Sequence, residues 1–261
     1  MVAHPPERAA ALQRLRIGNG VVGAVLVVQV VAIAVLSNDF SLPVTASFMT
    51  GPPGSAIPPQ HTLFGLPIGP AVAAFLAMAA LDHLLVASPR VVGWYERHLL
   101  KGINYARWIE YSLSASLMIV LISMLTGISD VRALIAIFGV NAAMILFGLL
   151  MERWNGGRTT VDWLPFWFGC IAGVVPWIAI TISIVGSEID SPTGVPGFVY
   201  GIYVSLFICF NAFAVNQVLQ YRRVGRWRDY LFGEWGYLVL SLTAKSLLAW
   251  QVFAGALASG S

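Results

Sequence analysis

Leu238-Val239-Leu240-Ser241-Leu242-Thr243-Ala244-Lys245-Ser246-Leu247-Leu248 is an apolar run interrupted by a single charge. It lies inside a longer apolar stretch over 235–256. As a helix, this places Lys245 about ten residues, or ~15 Å at 1.5 Å rise per residue, from either end. About 20 apolar residues span the hydrocarbon core of a bilayer, so the amine falls near mid-membrane, too deep to reach an interface comfortably. Insertion scales put a charge there at about +2.5 to +3.5 kcal/mol. Such a lysine is read either as half of an intramembrane ion pair or lining of a polar cavity, or as a nucleophile that forms an imine with an aldehyde cofactor.

Working outward, six more stretches have the length and hydropathy of spans: 17–36, 66–88, 104–127, 132–151, 163–185 and 198–220. The 261 residues are 58% hydrophobic and 10% charged, with mean hydropathy +0.78. Soluble domains carry about 25% charged residues, so the solvent of this chain is lipid. The expected fold is all-α, a seven-helix membrane bundle forming a single domain over 1–261. Arginines precede the first span and Ala32-Ile33-Ala34 looks like a cleavage site, but the apolar run is long for a signal peptide and reads as a retained anchor. Cys170 and Cys209 lie in apolar runs with no ligand at metal-binding spacing, and read as small buried hydrophobes.

Basic residues set the expected orientation. Arg8, Arg14 and Arg16 precede the first span. Arg90, Arg97, Lys101 and Arg107 follow the second, Arg153 and Arg158 the fourth, and Arg222, Arg223, Arg226 and Arg228 the sixth. These share one side with the N-terminus; the other side has only Arg132. A cell-membrane protein with a cytoplasmic N-terminus and an outer C-terminus is expected. The segment 37–65, rich in Pro and Gly (Gly51-Pro52-Pro53-Gly54, Pro58-Pro59), reads as a structureless outer loop that covers the protein or mediates dimer contacts, and 186–197 as an acidic, turn-rich loop on the same side.

Glu110 is the only acid read in the interior of a span at the depth of Lys245. A positively charged imine in low dielectric requires such an anion; the alternative is a Glu110–Arg107 pair near the interface. Asp82 and His83, near the basic end of the second span, either cap that helix or join a polar cavity in which His83 accepts or relays a proton. Arg107 is expected to organise that cavity. Glu110, Ser114 and Met118 share one helical face with Tyr111 beside it, Ser241 precedes Lys245 by a turn, and stripes of Asn141, Met144 and Gly148 and of Phe210, Phe213 and Gln217 mark two further spans. Gly148 and Gly173 permit close approach of a helix or a flat polyene. Each stripe alone is compatible with ordinary helix packing.

Arg107-Trp108-Ile109-Glu110-Tyr111-Ser112-Leu113-Ser114-Ala115-Ser116, Ser241-Leu242-Thr243-Ala244-Lys245-Ser246 and Asn38-Asp39-Phe40 resemble heliorhodopsins, over essentially the whole chain and with the same inverted orientation. The resemblance implies covalently bound all-trans retinal on Lys245, with Glu110 as counterion and Ser241 and Ser114 bonding around the Schiff base. It implies His83 in a polar cavity and Asn141, Met144, Pro176, Phe210, Gln217 and Trp250 in the pocket wall. It further implies homodimers and a slow photocycle suited to sensing. Many relatives carry a second cavity histidine where this chain has Leu26, which puts a paired-histidine proton store in doubt.

Photosensing, with all-trans to 13-cis isomerisation read by an unidentified cytoplasmic partner, is therefore expected. No enzymatic activity, metal or nucleic-acid partner is expected, and lipid is the surrounding. A light-driven pump or light-gated channel is the second reading; the place of a second helix-three carboxylate, three turns past Glu110, is held by Leu121. A light-insensitive membrane scaffold regulating an enzyme is the third. The basic Arg222-Arg223-Val224-Gly225-Arg226-Trp227-Arg228 loop suits an acidic partner, but topology and anionic lipid explain it equally.

Overall fold

A computed structural model describes residues 5–54, 58–190 and 195–259. In chain order the elements are α1 (Pro5–Leu36), β1 (Ser41–Ser47), β2 (Gln60–Pro67), α2 (Ile68–Ala87), α3 (Val92–Leu99), α4 (Tyr105–Leu125), α5 (Val131–Asn155), α6 (Leu164–Asp190), α7 (Gly197–Tyr221) and α8 (Tyr230–Ser259), with a 3₁₀ turn over Gly225–Arg228 before α8. Seven of the helices, all but α3, are long and apolar enough to cross a bilayer. The chain is a multi-pass membrane protein built as a seven-helix bundle.

The expected spans are all present, and several are longer than the apolar windows. α1 begins at Pro5 rather than near 17, and α8 at Tyr230 rather than 235. In both cases the helix runs on through polar residues that the bilayer does not require but backbone hydrogen bonding does. α6 likewise continues to Asp190, so half of the expected loop 186–197 is helix; residues 191–194 of that loop lie outside the described residues.

The segment 37–65 is not structureless. β1 and β2 form an antiparallel hairpin from Ser41↔Pro67 to Ser47↔Gln60, with an irregularity between Val44 and Thr45; residues 55–57 of the segment lie outside the described residues. Val44 packs with Met124 and Leu134, at the end of α4 and the start of α5. Hydrogen bonds staple the same contact: Thr45 N donates to the Ser129 carbonyl (2.8 Å), and Gln60 Nε2 donates to Ser129 Oγ (3.3 Å) as well as to Thr45 Oγ1 within the hairpin (2.7 Å). Asp130 caps α5 by accepting from Arg132 N (2.9 Å), and its carboxylate pairs with the Arg132 guanidinium (2.6 Å), which also donates to Ser47 Oγ (3.0 Å). These hydrogen bonds hold the Asp130 carboxyl down at about 2.

The apolar core is shared chiefly by α1, α2, α4 and α8, through Leu26, Ile33, Val72, Phe75, Leu76, Met118, Leu121, Leu248 and Val252. Elsewhere large apolar side chains face outward, Val28, Val35, Ile135, Ile171 and Ile182 among them. Apolar surface on both sides of a helix is the arrangement a lipid solvent allows.

Candidate functional site

Lys245 and Glu110 meet inside the bundle. The Lys245 Nζ lies 2.6 Å from both Glu110 oxygens, and both side chains are buried. α4 supplies the acid because Asn104 caps its first turn, accepting from Arg107 N (3.1 Å), which sets Glu110 on the inward face. The ammonium also stands 4.6 Å from the centroid of the Tyr111 ring and 5.9 Å from that of Phe75. The interface pairing of Glu110 with Arg107 does not occur.

The amine opens onto a cavity of about 380 Å³, within the range of small-molecule sites. The lining is nearly all apolar and rich in aromatic rings, Phe75, Trp108, Tyr111, Trp177, Phe210 and Phe213 among them. Two glycines shape the wall. A Cβ on Gly148 would lie 2.2 Å from the Trp108 ring, and one on Gly173 would lie 2.5 Å from the Met144 sulfur. Any larger residue at either position would displace a wall side chain.

Of the residues expected around the chromophore, Lys245, Tyr111, Met118, Met144, Gly148, Phe210 and Gln217 line this cavity. Gln217 Nε2 donates to the Gly148 carbonyl (3.3 Å), tying α7 to α5. Glu110 is at the amine. Ser114, one turn further along α4, is fully buried, and its hydroxyl has no protein partner. Ser241 and His83 are bonded to each other, Ser241 Oγ to His83 Nε2 at 2.9 Å. His83 therefore belongs to a polar group inside the bundle, not to a helix cap.

Three expected wall residues stand elsewhere. Asn141 donates to Ser116 Oγ (3.0 Å), a polar tie between α5 and α4. Pro176 is buried in α6 without reaching the cavity, which its neighbour Trp177 lines instead. Trp250 is on the seam with α1: its indole N–H donates to Gln29 Oε1 (3.1 Å), and Gln29 donates in turn to Ser246 Oγ (2.9 Å). Trp250 projects from a different side of α8 than Lys245. Trp108 and Trp177 are wall residues the sequence reading missed.

Arg107 also differs from expectation. It joins Glu152 of α5 and Glu234 of α8 in a buried cluster, one turn from Glu110 toward the basic end. Asn104 donates to both acids, from N to Glu152 (2.8 Å) and from Nδ2 to Glu234 (2.7 Å), and Tyr230 O–H donates to Glu152 (3.1 Å). The Arg107 guanidinium stacks 3.7 Å from the Tyr237 ring centroid. A second polar layer thus lies between the Lys245 site and the basic end of the bundle.

The sequence model of the heliorhodopsin family matches residues 15–257. The chain belongs to the heliorhodopsin family. Among solved structures, this heliorhodopsin is similar to a light-driven proton pump from Leptosphaeria maculans, at 15% identity and a TM-score of 0.64 over 92% of this chain and 93% of the other. It is similar to the light-driven proton pump rhodopsin of Coccomyxa subellipsoidea, at 18% and 0.63 over 92% and 96%. A third likeness is to Exiguobacterium sibiricum rhodopsin, at 15% and 0.62 over 98% and 99%. At these identities the likeness is one of fold: the heliorhodopsin chain has the microbial rhodopsin bundle. A search of curated protein sequences finds no significant match.

Proposed function

We propose that this heliorhodopsin is a light-sensing photoreceptor that carries all-trans retinal on Lys245 as a protonated Schiff base, with Glu110 as its counterion. One observation carries the reading: a buried lysine–carboxylate pair ends an aromatic-lined cavity of about 380 Å³. Nucleophile, anion and an apolar slot for a long hydrocarbon are thereby together. The residues fit the group further in the two glycines that keep the wall thin and in the buried Ser114 hydroxyl left without a protein partner.

Retinal supplies visible absorption and an all-trans to 13-cis isomerisation when bound. The chain supplies the rest. Glu110 balances the positive charge on the Lys245 nitrogen where water cannot. Phe75, Met118 and Leu248 exclude solvent at that end, and Tyr111 offers its ring face to the charge. His83 bonds Ser241, one turn before Lys245, and in this reading it takes a proton from the Lys245 nitrogen through that hydroxyl. The basic end of the bundle faces the cytoplasm in this reading, and homodimer formation and a cytoplasmic signalling partner belong to the same proposal.

Light-driven transport is the second reading, favoured by the pumps among the structural relatives. Against it, α4 holds no acid beyond Glu110, and Leu121 three turns on is fully buried in apolar core. Retinal-loaded protein in sealed vesicles discriminates the two. Sensing predicts flash-induced absorbance changes with no sustained pH change in the medium. A sustained light-driven pH change abolished by a protonophore would refute sensing and establish pumping.

A further inference from the structure

The polar group beside Lys245 contains a chain of hydrogen bonds whose direction is fixed at one end. Asn19 of α1 is buried, and its amide meets the Leu15 carbonyl and the His83 ring, with the Tyr95 hydroxyl also against it. Nδ2 donates to the Leu15 carbonyl (2.8 Å), and Oδ1 lies 2.7 Å from His83 Nδ1. A main-chain carbonyl only accepts, so the amide nitrogen faces Leu15 and the amide oxygen faces the ring. A ring nitrogen at that distance from an amide oxygen donates, so the His83 proton is on Nδ1. In neutral imidazole the other nitrogen is then an acceptor. Nε2 takes the Ser241 hydroxyl proton at 2.9 Å. Both partners of the ring are uncharged, as suits a neutral ring in a desolvated place.

We propose that Asn19 is a positioning residue that locks His83 in the Nδ1–H tautomer and so presents its Nε2 lone pair, through Ser241, to the side of α8 that carries Lys245. The inference deepens the retinal-binding reading and rests on it for its functional meaning. When the Lys245 nitrogen releases its proton, Ser241 passes its hydroxyl proton to Nε2 and takes the incoming proton on its own oxygen. His83 ends as an imidazolium with Nδ1–H still held by Asn19, and no electrons move. With the opposite tautomer, Nε2–H would donate to Ser241 and the relay would have no acceptor. Leu26 of α1 is fully buried in apolar core, and the α1 partner of His83 is Asn19.

The test is ¹⁵N NMR of histidine-labelled protein in lipid, in the dark, with the His83 signals assigned by their loss in His83→Gln. The expected spectrum shows protonated Nδ1 and unprotonated Nε2. In Asn19→Leu the tautomer ratio should move roughly fivefold toward Nε2–H, the equivalent of one buried neutral hydrogen bond. Light-driven deprotonation of the Lys245 nitrogen should slow with it. Protonated Nε2 in the wild-type protein, as the other tautomer or as imidazolium, would overturn the inference, as would an unchanged ratio in Asn19→Leu. The visible band of the retinal-reconstituted sample separates the two layers. Its absence from folded wild type would remove the retinal reading, whereas a band with the wrong tautomer would remove only the lock.

Discussion

Glu110 and Lys245 are directly paired in that interior, so removing one leaves the other without the partner that offsets its desolvation. Breaking such a buried pair costs about 3–5 kcal/mol. Glu110→Gln should therefore lower the thermal midpoint of the retinal-free protein sharply, read by calorimetry in detergent. In the pigment the same substitution should move absorption to shorter wavelength, because the nitrogen loses the anion that keeps its proton. Gly148→Ala acts differently, since the new Cβ would meet the Trp108 ring at 2.2 Å with both helices already packed. Overpacking of this kind costs about 1–3 kcal/mol, and pigment yield on titration with retinal should fall. An unchanged yield would mean that the wall yields where it is drawn tight. Lys245 and Glu110 were legible in the sequence because a charge inside an apolar span has few uses. Glu152 and Glu234 were not, because each stands near a span end, where an acid ordinarily meets water; only the folded bundle turns both inward onto Arg107. Pro176 and Trp250 were misplaced for a related reason. A residue in the right helix still needs the right side of it, and helix rotation is set by neighbours that sequence spacing does not specify.

The hairpin shows what an element gains from tertiary partners. Its Pro- and Gly-rich middle reads as loop, and the pairing of Ser41–Ser47 with Gln60–Pro67 spans a connection too long for a local turn signal. What fixes it is the docking of Val44 on α4 and α5 and the bonds from Thr45, Gln60 and Arg132. Asp130 anchors this contact, and its carboxyl titrates at about 2, below the ordinary value near 4. A depressed folded-state value means stability that is present above about pH 4 and lost as pH falls toward 2. The difference in thermal midpoint between wild type and Asp130→Asn should accordingly be constant above pH 4 and shrink between 4 and 2. A difference independent of pH over that range would show that the carboxylate charge plays no part. At the other end of α4, Arg107→Met would leave two buried carboxylates against an apolar side chain. It should destabilise the bundle by about 3–5 kcal/mol, again read as a thermal midpoint.

Across the whole molecule, seven apolar helices enclose two polar layers: the Lys245–Glu110 pair with the His83–Ser241–Asn19 chain, and nearer the basic end the Arg107 cluster. The span count and the bundle were readable from hydropathy alone, because lipid imposes length and composition on every crossing helix. Helix ends were not, since backbone hydrogen bonding carries a helix past the membrane boundary. The molecule's function turns on whether the amine at the end of the aromatic cavity carries the chromophore. Borohydride reduction of retinal-reconstituted protein, followed by peptide mass spectrometry, reads this directly by fixing an imine as a stable amine on the residue that bears it. A retinyl adduct on the Lys245 peptide is expected, lost together with the visible band in Lys245→Ala. An adduct on another lysine, or none in folded protein given retinal, would contradict the assignment and leave Lys245 and Glu110 as a structural ion pair.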